Sequence, residues 1–314
     1  RVIVWAFGLA AASVLSVLIL AAIAVAVAYP NVPEISGLAD YRPKLPMRIY
    51  AADGVLLGEF GEERRTFTPI GQIPKAMKDA VLAAEDSRFY EHGGVDYRGI
   101  LRAALANLRD ARSQGGSTIT MQVAKNFYLP TEKTYTRKIY ELLLTLKIEK
   151  LLSKEQILEL YMNQIFLGQR AYGFAAASEI YFGKPVKDLS IAESAMLAAL
   201  PVAPSAYNPI VNPKRATVRQ QFILGRMLEE GFITPDQYDE ARQQVLRYRV
   251  PSAVPVHAEY AVETARQMVF AHYGAEAYSR GLDVTLTIRS ADQEVAYRAL
   301  RRGLLNYEQR QWYR

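Results

Sequence analysis

The segment from Glu85 to Gly94 carries the side chains that are best suited to proton transfer in this chain. Glu85 and Asp86 are adjacent carboxylates, and His92 follows them closely. A glutamate that ends an alanine-rich apolar helix lies partly inside a cleft, where desolvation raises the pKa of its carboxyl group towards the range useful for proton transfer. The sequence therefore predicts a catalytic carboxylate at Glu85, with a solvated helix end as the open alternative.

A turn rich in glycine and hydroxyl groups comes next, just before a helix start. Gly116, Ser117 and Thr118 precede the segment that contains Gln122. Backbone N–H groups exposed at such a helix start bind anions. The turn is not a Walker loop, since no Gly-Lys-Ser/Thr follows at the required spacing. An ordinary glycine-rich turn before a capped helix is the alternative.

Basic side chains then surround a further acid. Lys125, Lys133, Arg137 and Lys138 lie around Glu141 in the sequence. On a helix, Arg137 and Glu141 are four residues apart and share one face. The pattern favours a phosphate-binding group beside a carboxylate, and the alternative is a surface ion pair that contributes little to stability.

Taken in order, these segments resemble the motifs of the family-51 peptidoglycan glycosyltransferases, the polymerase half of class A penicillin-binding proteins. The matching stretches are Glu85–Gly93, Gly116–Asn126, Arg137–Glu141, Lys154–Gly168 and Glu193–Pro209, with Arg215 and Arg219 beyond them. The short apolar N-terminus and the Ala51–Gly54 turn are most similar to the 1a type of Gram-negative bacteria.

The resemblance implies a mainly α, lysozyme-like glycosyltransferase domain with an N-terminal transmembrane helix and short β segments in the linkers. Its substrate would be lipid II, joined into β-1,4-linked glycan strands with release of undecaprenyl pyrophosphate. Glu85 would be the base that takes the proton of the attacking sugar hydroxyl, and Asp86 would support it electrostatically. A single displacement would invert the α-linked donor, without a covalent enzyme intermediate.

The resemblance also implies roles for the basic cluster. Lys125, Arg137 and Lys138 would bind the pyrophosphate leaving group through charge-assisted contacts. Glu141 would position the donor or hold a divalent cation, Mg or Mn, against the pyrophosphate. Further substrate contacts are expected from Ser117, Thr118, Gln122 and Asn126.

The sequence departs from the family's usual pattern at one position and lacks one set of motifs. Met121 stands where a glutamine usually precedes Gln122, so a polar contact at that position is lost. Ser-x-x-Lys, Lys-Thr-Gly and Ser-x-Asn do not occur in the 314 residues. The transpeptidase half that accompanies such a domain is therefore expected beyond Arg314.

Two other function classes remain open from the sequence. A hydrolase or lytic enzyme on a lysozyme-like scaffold would also use two carboxylates, about 5–9.5 Å apart, but it would have no use for a pyrophosphate-binding cluster. A non-catalytic membrane scaffold would be expected to lose its acids, whereas Glu85 and Glu141 are both present. Nucleic-acid binding is not expected, because acids are interspersed among the basic residues.

The elements that must position these residues are predicted to be mainly helical over residues 71–248. Helix starts are indicated at Pro74, Asp96, Ser153, Ser190 and Thr234, where a first-position proline or a capping side chain precedes an apolar stripe. Another helix is predicted at 258–273. The predicted organisation is an anchor at 1–30, a linker and hairpin at 31–70, the glycosyltransferase domain at 71–248, and a linker towards a transpeptidase at 249–314.

Two short β elements are expected outside the helical region. Asp53-Gly54 is a type I′ turn pair flanked by apolar residues, so Arg48–Phe60 is predicted to form a hairpin. Apolar and polar residues alternate from Leu282 to Ile288, which is typical of a half-buried strand.

The N-terminus and the composition predict a membrane-bound protein. The 28 residues from Val2 to Tyr29 carry no charge, and roughly 20 apolar residues cross a bilayer; an uncleaved signal sequence is the alternative. The net charge of +6 suits an anionic lipid surface, and the segment Phe127–Pro130 with Tyr135 is typical of a membrane interface. No cysteine is present and the three histidines lack metal-ligand spacing.

By resemblance, the location would be the bacterial inner membrane, with one span and a periplasmic catalytic domain. Membrane lipids and cell-wall synthesis proteins are the expected partners besides lipid II and the growing strand.

Overall fold

The structure is a computed structural model in which short helices surround one main core and a small sheet packs beside them. It describes residues 26–38, 44–61, 63–100, 116–129, 134–249 and 256–311, with isolated positions before residue 26. The helices are α1 (Lys75–Glu85), α2 (Ile119–Tyr128), α3 (Tyr135–Leu151), α4 (Lys154–Gln164), α5 (Phe174–Tyr181), α6 (Ile191–Ala198), α7 (Pro213–Glu229), α8 (Pro235–Gln243), α9 (Glu259–Tyr273) and α10 (Ser290–Gln311). The strands are β1 (Met47–Tyr50), β2 (Leu56–Phe60), β3 (Arg64–Arg65), β4 (Ala171–Tyr172) and β5 (Asp283–Thr285). The mainly α prediction is confirmed.

Local capping chemistry sets where several helices begin. The capping boxes pair Ser153 with Gln156, Ser190 with Glu193 and Thr234 with Gln237, as predicted. Each box satisfies two of the backbone N–H groups that a helix start leaves without partners. Asp96 also accepts a hydrogen bond from the Gly99 N–H at 2.9 Å. The rest of the helix predicted after Asp96 lies outside the described residues.

The main core places the ends of α1 and α2 side by side. α1 packs against α6 and α7, and α2 packs against α3 and α4. The predicted apolar stripe of α1, at Met77, Val81 and Leu82, is buried. Phe89 and Tyr161 are among the large side chains that are fully buried, and burial of Phe89 contributes about 1.5–3 kcal/mol of transfer free energy. This packing fixes the C-terminal end of α1, where Glu85 lies.

The predicted hairpin and strand join in one sheet of order β2-β1-β5. β1 and β2 are antiparallel, whereas β5 runs parallel to β1. The turn differs from the prediction, because only Gly54 has a positive φ, of 79°, and a type I′ turn requires two such residues. The Gly54 N–H donates to the Ala51 carbonyl at 2.9 Å, so a type I turn followed by a left-handed glycine connects the strands.

Across the described residues, no helix is long and apolar enough to cross a membrane. Most of the predicted anchor at 1–30 lies outside those residues, so the anchor stays a prediction.

Gly173 gives a stability prediction at the start of α5. Its φ is +83°, and a Cβ atom there would lie 2.8 Å from the Asn163 carbonyl oxygen. Gly173→Ala is therefore expected to lower the free energy of unfolding by about 1–2 kcal/mol for the left-handed backbone alone, and further through the backbone contact. Chemical denaturation measures this change.

The matched control is Gly225→Ala, within α7, where a Cβ atom would meet nothing within 4 Å. This control is expected to stabilise the helix by about 0.5–1 kcal/mol. Equal unfolding midpoints for the two variants would contradict the argument.

Candidate active site

Glu85 ends α1 with its carboxylate turned into the protein. Its Oε2 accepts a hydrogen bond from Gln122 Nε2 at 2.6 Å. Its Oε1 is inaccessible to solvent and has no hydrogen-bond partner among the described residues. Burial raises the pKa of the Glu85 carboxyl, while the hydrogen bond from Gln122 and the charges of Arg219 and Lys125 act in the opposite direction. The Glu85 side chain is thus half-buried, and one of its carboxylate oxygens has no hydrogen-bond partner among the described residues.

Asp86, the residue after Glu85, has a carboxylate whose oxygens both take part in hydrogen bonds with a structural role. Its Oδ2 accepts from the Ile119 N–H at 3.1 Å, at the start of α2. His92 Nε2 lies 2.9 Å from Asp86 Oδ1, and the Gly94 N–H donates to His92 Nδ1. Because Nδ1 accepts, the ring proton is on Nε2 and is donated to Asp86. Asp86 therefore ties the end of α1 to the start of α2, and its charge opposes ionisation of Glu85, raising that residue's pKa.

The hydroxyl turn, Gly116–Thr118, leads into α2 and places Gln122 beside Glu85. Thr118 caps the helix by accepting from the Met121 N–H, and its own hydroxyl donates to the Gly94 carbonyl at 2.6 Å. The Met121 side chain is buried in the protein interior. Because Gln122 supplies the contact to Glu85, the departure from the usual family pattern at Met121 leaves that hydrogen bond intact.

The predicted basic residues are divided between α2 and α3, which pack together. Lys125 is half-buried on α2, and its charge reaches Glu85. On α3, Lys138 Nζ forms an ion pair with the buried carboxylate of Glu141 and lies 3.5 Å from Ser117 Oγ. The described ion pair to Glu141 thus comes from Lys138, three residues away, and it brings α3 to the hydroxyl turn.

The other predicted positions lie on the same two helices. Arg137 is half-buried near the start of α3, and Asn126 is exposed on α2. Phe127, Tyr128 and Leu129 pack against the core while keeping part of their surface exposed. Pro130 and Lys133 lie outside the described residues.

A cavity of about 400 Å³ opens onto Glu85. Its lining includes Asp86, Ser117 and Thr118 from the predicted set, and Arg219, Phe222 and Arg226 from α7. A larger cavity of about 970 Å³ lies elsewhere, along β2 and α5, and none of the predicted site residues lines it. The smaller cavity is therefore the one that matters for the chemistry of Glu85.

The described residues contain no group of three His, Asp or Glu side chains that could hold a metal ion. Glu141 is a single carboxylate already paired with Lys138. Mg²⁺ sites use one or two carboxylates together with substrate phosphates. Among the described residues, protein side chains alone do not form a cation site, and a divalent cation held between Glu141 and the pyrophosphate stays a prediction.

Three side chains at the site were not assigned a role from the sequence. Lys154 donates to the His92 carbonyl at 2.6 Å, pairs with Glu149 and lies over the Phe89 ring. Tyr161 is buried beneath Glu85, and burial together with the charge of Glu85 raises its pKa well above the usual value. Lys154 and Tyr161 belong to the Lys154–Gly168 segment, and the resemblance of that segment to a family motif was the sequence signal that could have pointed to them. For Arg219, the only available sequence signal was its position after the last of the matching stretches.

Comparison with known proteins places the chain in a family. The family model described as transglycosylase matches residues 53–228. Penicillin-binding protein 1A of Neisseria meningitidis serogroup A is 54% identical over 297 residues, covering 94% of this chain and 37% of that protein. Penicillin-binding protein 1A of Pseudomonas aeruginosa is 47% identical over 287 residues, covering 91% and 35%. The chain thus spans little more than a third of the length of these relatives.

A solved structure shows the same similarity. The crystal structure of penicillin-binding protein 1A from Haemophilus influenzae matches 87% of this chain and 31% of that one, with 32% identity and a TM-score of 0.52.

Proposed function

This chain belongs to the transglycosylase family and carries a peptidoglycan glycosyltransferase domain, and we propose that it polymerises lipid II into β-1,4-linked glycan strands. The observation that carries the proposal is the half-buried carboxyl of Glu85, held by Gln122 beside a cavity, with Oε1 free of protein partners among the described residues. An acceptor hydroxyl that enters the cavity would meet the Glu85 side chain.

The reaction needs a base because a sugar hydroxyl is a poor nucleophile. The Glu85 carboxylate would take the proton of the acceptor hydroxyl as the hydroxyl oxygen attacks the anomeric carbon of the donor. The bond from that carbon to the pyrophosphate breaks in the same displacement, which inverts the α-linked donor to a β-linked product. Asp86 contributes by fixing the end of α1 rather than by accepting the proton, since its oxygens are already bonded.

The departing undecaprenyl pyrophosphate gains negative charge, which cations must stabilise. Lys125, Arg137 and Lys138 lie on the packed pair α2 and α3 and would supply that charge. Glu141 orients Lys138 through their ion pair. Ser117, close to Lys138 Nζ, extends the same surface towards the cavity.

A hydrolytic function on a lysozyme-like scaffold is the second candidate. It would need a second carboxylate free to act on the glycosidic bond. Glu141 instead forms an ion pair with Lys138, and Asp86 is held by His92 and by α2. The polymerase accounts for both the free carboxylate and the cations around it. A non-catalytic scaffold would have no need to keep a buried carboxyl whose pKa is raised by burial.

We also propose the location of the enzyme and the segments on either side of its catalytic domain. The domain at 71–248 would have a lysozyme-like fold and stand on the periplasmic side of the bacterial inner membrane, anchored by a single span at 1–30. Residues 249–314 would lead to a transpeptidase region. Membrane lipids, the growing strand and cell-wall synthesis proteins would be its partners.

Incubation of the protein with labelled lipid II in detergent tests the function. We expect glycan ladders when the products are separated by size, and no shortening of preformed glycan strands in a parallel reaction. Cleavage of the preformed strands without ladders would favour the hydrolase. No product from either substrate would contradict both enzymatic functions.

A further inference from the structure

Arg219, on α7, is held in place beside the cavity that contains Glu85. Its guanidinium carbon lies 4.9 Å from the centroid of the Phe222 ring and 5.9 Å from that of Tyr207. Its Nε is inaccessible to solvent and has no hydrogen-bond partner among the described residues. Two aromatic contacts therefore position this cation without neutralising it.

Among the described residues, the charge of Arg219 lowers the pKa of Glu85 more than that of Lys125 does. Of the charged groups around Glu85, Asp86 raises its pKa, whereas Arg219 and, to a smaller extent, Lys125 lower it. Tyr161 approaches from α4 and is neutral, with a pKa well above the usual value because it is buried. In the part of the chain that the structure describes, the charged groups that act on Glu85 are thus two cations, from α7 and α2, and one neighbouring anion.

We propose that Arg219 is a positioning residue that keeps the Glu85 carboxylate ionised inside its buried site until the acceptor hydroxyl delivers its proton. The inference rests on the proposed function, in which Glu85 is the base. Burial alone favours the protonated carboxyl, which cannot accept a proton. A fixed guanidinium opposes this effect without forming a salt bridge that would occupy the reactive oxygen.

The pH dependence of kcat/KM for lipid II tests this role. A base must be ionised, so activity is present above its pKa and is lost as the pH falls through that value. Removing the cation with Arg219→Gln is expected to move this acid limb upward by about one pH unit. At alkaline pH, where Glu85 is ionised without help, the variant is expected to approach the wild-type rate.

Two further variants separate charge from structure. Arg219→Lys keeps the charge, so the acid limb of its kcat/KM profile is expected to lie close to the wild-type pH. Arg215→Gln is the matched control, because Arg215 lies over the same Tyr207 ring at 5.5 Å but does not line the cavity. Its acid limb is expected to stay at the wild-type pH. Titration of the substrate itself is common to all variants and cancels in the comparison.

Other outcomes would overturn the inference. A loss with Arg219→Gln that is equal at every pH, or a rise in KM without a shift of the limb, would assign Arg219 to substrate binding or to the fold. A lowered unfolding midpoint of the variant would identify an effect on the fold. Failure of the proposed function is separate, because the wild-type protein would then make no glycan ladder at any pH.

Discussion

Glu85→Gln is expected to lower the rate of lipid II polymerisation by about 10²–10⁴-fold, the range that general base catalysis contributes. Glutamine preserves the shape of the side chain, and its carbonyl oxygen can still accept the hydrogen bond from Gln122 Nε2. What it loses is the ability to take a proton. The rate of consumption of labelled lipid II measures the effect, and lipid II binding is expected to change little.

The matched control for this substitution is Glu229→Gln. Glu229 lines the same cavity, but its side chain is 66% exposed and forms an ion pair with Arg226. Such exposed pairs contribute little, so this variant is expected to polymerise at close to the wild-type rate. Normal polymerisation by Glu85→Gln would show that another group takes the proton. Equal losses in the two variants would indicate a general effect of removing negative charge from the cavity.

The helix starts could be predicted because their signals are local. Ser153, Ser190 and Thr234 each bond within their own first turn, so the residue types and their spacing contain the information. The strand from Leu282 was predicted from alternation in the same way, although β5 covers only Asp283–Thr285. The sequence could not show that β5 pairs with β1, because that contact joins opposite ends of the chain.

The hairpin turn shows the limit of a two-residue signal. Asp53-Gly54 fits a type I′ turn, yet a type I turn with a following left-handed glycine satisfies the same pair. Turn type and strand register are coupled in a hairpin, and the register here shifts between Ile49 and Tyr50. The position of the hairpin was therefore predictable, whereas its turn type was not.

At the site, the sequence predicted the residue types better than their partners. Gln122 was expected among the substrate contacts, and in the structure it bonds to Glu85. Arg137 was expected to share a face with Glu141, and the described ion pair comes from Lys138. Arg219 reaches Glu85 only because α7 packs against α1. Contacts between distant segments depend on packing, which no local pattern records.

Lys125→Ala is expected to lower kcat/KM for lipid II by about 10²–10³-fold, the cost of removing one group that stabilises charge in a transition state. Lys125 is half-buried on α2, one turn beyond Gln122, and its charge acts on Glu85; in the proposed reaction it would also stabilise the departing pyrophosphate. Initial rates of polymerisation measure the loss. Lys150→Ala removes an exposed lysine from the end of α3 and serves as the control.

The pH at which the loss is measured separates two roles of Lys125. Its charge also lowers the pKa of Glu85, so part of the effect at low pH passes through the base. At alkaline pH, where Glu85 is ionised in both proteins, only the loss of leaving-group stabilisation remains, and a large deficit is expected to persist there. This behaviour differs from that expected of Arg219→Gln, which recovers under the same conditions. Full recovery of Lys125→Ala at alkaline pH would mean that Lys125 acts on the base and that the pyrophosphate is bound by the cations of α3.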